Sequence, residues 1–340
     1  MSYSEKLWNN QPVVIAFKPQ RVPQLHDGAC STRIPQVFWT CFDTTEPRTV
    51  WQLCLFLTLI LPLLYGGRFA ARQLLQGAGP AVLFFVREIR IFLTYFFATW
   101  VMGRVEGRSI AEYGLPWRLM FRSQFWEGAL LGFFSLTGLI LVMRLVGVLH
   151  FGGVGLRSAE IGKWALLYVL VFILVALTEE FSARGYLLYT LSAGIGFWPA
   201  AILTSVFFGY SHHGNPGEDW IGLVNAGIFG LLACLLLRRT GNLWMPIGLH
   251  MAWDWGETFF YGTANSGAAY PGQLMNSSSS GPAWLSGGTV GPEGSVLCTL
   301  LMVLVWFLCS AWLPDVSYPM PTPTKVQSAE RNAAKGTVPQ

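Results

Sequence analysis

WALLYVLVFILVALTEEFSARGYLLYTL, running from Trp164 to Leu191, decides what kind of protein this is. An uncharged run from Trp164 to Thr178 leads into Glu179, Glu180 and Arg184, and a second apolar run follows them. A bilayer core about 30 Å thick is crossed by about 20 apolar residues wound as helix. The stretch is long enough. Its hydrophobicity is continuous and not alternating, which favours a helix over a barrel strand.

Seven comparable runs flank it: Val50 to Gly66, Ala81 to Met102, Trp126 to Leu149, Phe197 to Ser211, Trp220 to Leu237, Asn242 to Tyr261, and Val296 to Leu313. The sequence thus predicts an all-α polytopic membrane protein of about eight transmembrane helices. In the second run Arg87, Glu88 and Arg90 interrupt the apolar residues, so an interfacial stretch followed by a short span is the alternative there. Composition agrees. Charged residues make up 12% of the 340 and apolar ones 53%, too few charges to cover that much apolar surface in water. A net charge of +4 without basic runs argues against nucleic acid as a partner. Of the six cysteines, Cys30, Cys41 and Cys54 lie outside the most apolar runs; Cys234, Cys298 and Cys309 read as small buried hydrophobes.

Three parts follow along the chain. Residues 1–49 are a polar N-terminal segment, 50–313 the transmembrane helical domain, and 314–340, rich in Pro, Thr, Lys and Ala, a disordered tail. Within the domain, residues 262–295 carry no Lys or Arg and contain a run of four serines, and read as a flexible external loop. With eight spans, fourteen of the 22 Lys and Arg residues fall on one side and six on the other, which puts both termini in the cytoplasm. The Gly128-x3-Gly132 spacing allows close helix packing.

Ionisable groups inside a membrane helix cost several kcal/mol, so each needs a reason. Glu180 and Arg184 are i and i+4 and can pair, which leaves Glu179, about 100° around the helix from Glu180, free to face a cavity as a base. His212 and His213 end the fifth run. His250 and Asp254, again i and i+4, share one face of the seventh. Counted from a turn near Ala193, Glu179 and His212 lie at depths that differ by roughly 8 Å, while His250, about 12 Å past the turn near Asn242, is the shallowest of the three. Convergence therefore needs a tilt of the seventh run or a shift of its end. Such a set offers an activated water, a proton carrier and an oxyanion partner, the requirements of amide hydrolysis. No Ser-His-Asp, Cys-His or H-E-x-x-H arrangement offers another route. Glu179, His212 and His250 are also candidate ligands for Zn²⁺ in an open site.

Glu179-Glu180-x3-Arg184, Phe208-x3-His212 and His250-x3-Asp254, in this order on successive membrane helices, resemble the CAAX-protease and bacteriocin-processing (CPBP, or Abi) family of intramembrane endopeptidases. The resemblance covers about residues 105–262 and takes in Ala111-Glu112-Tyr113-Gly114-Leu115 and the stretch from Leu236 to Ile247. It implies a general base at Glu179 assisted by His212, with His250 and Asp254 at oxyanion-stabilising positions and Glu180 and Arg184 supporting them. It implies a peptide or lipidated protein as substrate, with membrane lipid around it. The prenyl-protease branch has Asn where this chain has Asp254. An ionised Asp accepts hydrogen bonds only, so Asp254 is either protonated or orients His250. Two further readings stand beside the protease: a non-catalytic adaptor or immunity protein of the same fold, and a small transporter or proton relay using the same side chains.

Overall fold

A computed structural model describes residues 45–318, with side chains from Thr49 onward. The polar segment before residue 45 and the tail beyond residue 318 lie outside the described residues. Ten helices and a two-stranded ribbon carry the architecture: α1 (Thr45–Leu74), α2 (Pro80–Glu106), α3 (Ser123–Val146), β1 (Leu149–Val154), α4 (Ser158–Arg184), α5 (Tyr186–Ile195), α6 (Phe197–Ser211), α7 (Trp220–Thr240), α8 (Trp244–Trp255), β2 (Met275–Ser279) and α9 (Val296–Trp312), the tenth being a single turn at Ala283–Ser286. Every apolar run of the sequence is helical. Four stretches are long and apolar enough to cross a membrane: Thr49–Leu74, Ser123–Val146, Ser158–Ile195 and Trp220–Thr240. Their outward faces stay apolar, as with Leu130, Phe134, Leu141 and Leu145 on α3, which water would not tolerate as one surface and lipid does. The chain is an integral membrane protein by this measure.

Three elements differ from the sequence reading. The run from Trp164 to Leu191 is two helices, because the chain turns at Gly185 (φ −77°, ψ −119°), where a Cβ would fall 2.4 Å from the Phe181 carbonyl oxygen. The run from Asn242 to Tyr261 is not one α-helix either. Helix α8 has 12 residues, about 18 Å, and passes into a wider π-helical turn at Gly256–Tyr261. Every residue from Trp244 to Asp254 is buried, so α8 is enclosed by protein along almost its whole length. The Leu243 N–H donates to the Gly114 carbonyl and Trp244 Nε1 to that of Pro116, both at the foot of the α2–α3 connection. The second run, despite its charges, is a single continuous helix, α2.

The third difference is the segment 262–295, which is folded. Its serine run is β2, paired antiparallel with β1 in the register Leu149↔Ser279, His150↔Ser278 and Phe151↔Ser277. Buried Asn225 on α7 then pins the segment's far end: Nδ2 donates to the carbonyls of Glu293 (2.7 Å) and Ser295 (2.9 Å), and Oδ1 accepts from Thr299 Oγ1 (2.6 Å). Polar side chains were satisfying backbone groups here, and composition alone could not show it. The start of the tail is ordered too. The N–H groups of Ser317 and Tyr318 donate to the Arg238 carbonyl, and Tyr318 is buried.

Glycines hold α3 and α8 at backbone contact. A Cβ on Gly128 would lie 2.1 Å from the Met245 oxygen, one on Gly132 2.2 Å from that of Leu249, and one on Gly248 2.0 Å from that of Phe125. The small-residue spacing in α3 does what it predicts. Cys234, Cys298 and Cys309 are free and buried, as read from their apolar surroundings, while Cys54 is exposed.

Candidate functional site

Helices α4, α6, α7 and α8, with the folded 262–295 segment, enclose one end of a cavity of about 1070 Å³ that continues between α1 and α2. Glu179, His212, His250 and Asp254 all line it. Glu180 and Arg184 do not, being fully enclosed behind them.

The adjacent carboxylates diverge as helix geometry requires. Glu180 is 0% exposed and pairs with Arg184 through Oε2 at 3.3 Å, the i,i+4 partnership read from the sequence. Its other oxygen takes His250: the Nδ1–H donates to Glu180 Oε1 at 2.9 Å, since a carboxylate only accepts. Arg184 is balanced on its other side by the Phe208 ring, 4.1 Å from Cζ to the centroid. Gly230 makes room for it, because a Cβ there would meet Arg184 Nη2 at 2.6 Å. Glu179 instead turns outward, its side chain 29% exposed into the cavity, with Oε2 at 3.8 Å from His250 Nε2. Asp254 Oδ2 approaches the same nitrogen at 3.6 Å. One imidazole is thus fixed at Nδ1 by a buried ion pair and presents Nε2 to two carboxylates at the cavity wall.

His212 reaches the same cavity from the end of α6. Its Nδ1 lies 2.8 Å from the Phe208 carbonyl oxygen and its ring packs against Phe208, with centroids 4.8 Å apart. No ion pair joins it to Glu179. Glu218 and Glu293 are its electrostatic neighbours on the same cavity. The three-way meeting of Glu179, His212 and His250 read from depth is a close pair plus a third group on the same hollow. His213 is outside the cavity lining and stacks on Tyr210. Among the described residues no set of three or more His, Cys, Asp or Glu is arranged to hold a metal ion. Glu179, His212 and His250, the donor set suggested for Zn²⁺, do not form such a group.

Sequence reasoning missed three polar contributors. Glu88, on α2, is 1% exposed and lines the cavity beside Glu179; its backbone oxygen faces Thr178 Oγ1 at 3.4 Å. The rule that intramembrane carboxylates are functional by default was available for it, but the residue was read only as an interruption of a span. Glu293 and Ser266 come from the segment read as a flexible loop. The Ser266 N–H donates to Glu293 Oε1 from a backbone at φ +47°, a strained position for a residue with a side chain. Burial pushes the Glu293 carboxyl upward, opposed by that hydrogen bond and by the nearby His212. Nothing in a Gly-Pro-Glu-Gly run signals a cavity wall.

No curated protein matches this chain. Residues 161–256, which run from the start of α4 to the end of α8 and carry all three motifs, match the family of type II CAAX prenyl endopeptidases, Rce1-like, the same CAAX-protease family that those motifs resemble.

Proposed function

We propose that the protein is an intramembrane endopeptidase that hydrolyses a peptide bond with an activated water, Glu179 being the general base. The observation that carries this reading is the division of labour between neighbouring carboxylates. Glu180 is sealed with Arg184 and His250, while Glu179 opens into a cavity large enough for a peptide segment.

The chemistry runs as follows. A water between Glu179 and the His250 face gives its proton to the Glu179 carboxylate and attacks the scissile carbonyl carbon. The carbonyl oxygen becomes an oxyanion, and the protonated Nε2 of His250 is the donor facing it. Glu180 fixes that ring through Nδ1, so the donor is oriented before the substrate arrives. An imidazolium at this position also balances Glu179 and Asp254, which gives Asp254 an orienting role towards His250 and not a direct one towards the oxyanion. As the tetrahedral intermediate collapses, Glu179 returns its proton to the leaving amine and the C–N bond breaks. His212, which lines the same cavity, is the second group in reach of a bound substrate. The substrate class is a peptide or a lipid-anchored protein entering from the bilayer. Comparing membrane peptides from cells carrying the wild-type protein and Glu179→Ala tests this: peptides that depend on Glu179 are expected, and identical peptide sets would overturn the assignment.

A further inference from the structure

Between α1 and α2 the cavity wall carries an excess of positive charge. On α1, Leu61, Leu64, Tyr65, Arg68, Arg72 and Leu75 line it at three- and four-residue spacing, one face extending about 21 Å. Across from them α2 contributes Arg87 and Arg90. Four guanidinium groups therefore line the same hollow as Glu179, Asp254 and Glu293, with Glu88 in electrostatic range of Arg87, Arg90 and Glu179.

Two of the four are already engaged. Arg87 Nε sits 2.8 Å from Glu88 Oε1. Arg90 Nη1 donates to the Leu64 carbonyl at 2.9 Å, its stem passing over Gly67, where a Cβ would meet Arg90 Cδ at 2.9 Å. Arg68 and Arg72 have no carboxylate within 4.0 Å among the described residues. They are i and i+4 on one helix, and Arg90 lies in electrostatic range of both Arg68 and Arg87. A group of mutually repelling cations, with a glycine cleared for one of them, gains from an anion between the helices.

We propose that Arg68 and Arg72, backed by Arg90, form a binding site for an oxyanion, either a carboxylate or a phosphate carried on an apolar chain. The planar fork of arginine suits either group, and the apolar residues between the arginines accept the chain. The free C-terminal carboxylate of a peptide and the phosphate of a lipid headgroup are the two sources of that chemistry. The site stands apart from the peptidase reading, since its residues are not those proposed to act on a peptide bond.

The test measures binding of three probes to the full-length protein in nanodiscs of zwitterionic lipid: N-decanoylglycine, its neutral amide, and decyl phosphate. The wild-type protein is expected to bind at least one of the anionic probes about tenfold more tightly than the amide. Preference for the carboxylate points to a peptide chain end, and preference for the phosphate to a headgroup. The Arg68→Gln/Arg72→Gln double variant, altered only at exposed side chains, should bind all three probes within about twofold while keeping its unfolding midpoint. Glu179→Gln should keep the full preference, so a failed protease assay leaves this result untouched. Equal binding of the amide by the wild-type protein overturns the proposal, as does a preference that survives in the double variant.

Discussion

Replacing Glu180 and replacing Glu179 should give opposite outcomes, although the two residues are neighbours with the same side chain. Glu180 and Arg184 are each 0% exposed at the side chain, 3.3 Å apart, and Glu180 also holds His250 at 2.9 Å. Removing one partner of a buried pair strands the other charge, at a cost of about 3–5 kcal/mol. Glu180→Gln keeps the shape and one acceptor, so about 3 kcal/mol is expected, roughly a hundredfold in the folded-to-unfolded ratio. Glu179 is 29% exposed into the cavity and its nearest partner is 3.8 Å away. Glu179→Gln should therefore change stability by no more than about 0.5 kcal/mol. It should nevertheless lower cleavage about 10²–10⁴-fold through loss of the base. Unfolding by denaturant in mixed micelles, read by the fluorescence of the chain's 15 tryptophans, gives the stability of each variant. Membrane peptidomics gives the cleavage. Equal stability of the two variants would refute the sealed-pair geometry, and full activity in Glu179→Gln would refute the assigned base.

Three further outcomes follow from the packing and the site. Gly132→Leu should separate α3 from α8 and cost about 3 kcal/mol or more, because the Cβ would press on the Leu249 backbone oxygen and not on a movable side chain; the same fluorescence titration measures it, and a wild-type midpoint refutes the contact. Asp254→Asn should keep cleavage within about tenfold, since an amide still fits beside His250, while Asp254→Leu should lose about 10²–10³-fold; equal losses measured by peptidomics would remove Asp254 from an orienting role. Asn225→Ala should free the end of the 262–295 segment, at about 2 kcal/mol, and raise amide hydrogen exchange there before elsewhere; unchanged exchange would show that Asn225 is not its anchor.

Much of this was legible because lipid imposes a simple rule: a long apolar run with no polar alternation must be helix, and a charge inside it needs a partner or a purpose. Glu180–Arg184 and the outward turn of Glu179 followed from helical angle alone. What hydropathy did not carry was the enclosure of α8. Counting residues from a turn near Asn242 makes His250 the shallowest group, because the count assumes that each apolar run starts at a membrane face. Helix α8 is instead buried on every side, with Leu243 and Trp244 donating to the carbonyls of Gly114 and Pro116, and enclosure of that kind leaves no mark on hydropathy. The same enclosure explains why His250 meets Glu180 first and Glu179 second. A helix buried on every side carries no polar face to show which residues look inward. It also explains the loop. Once α8 ends in a π-helical turn at Gly256–Tyr261, the chain lies beside the cavity and not outside the bundle, so Asn265, Ser266 and Glu293 close a wall that their turn-forming sequence gave no reason to expect. Charge pattern is informative again between α1 and α2. Arg87 and Arg90 on α2, which interrupted the second run, line the same cavity as Arg68 and Arg72 on α1, on the faces that helices beside a cavity turn towards it.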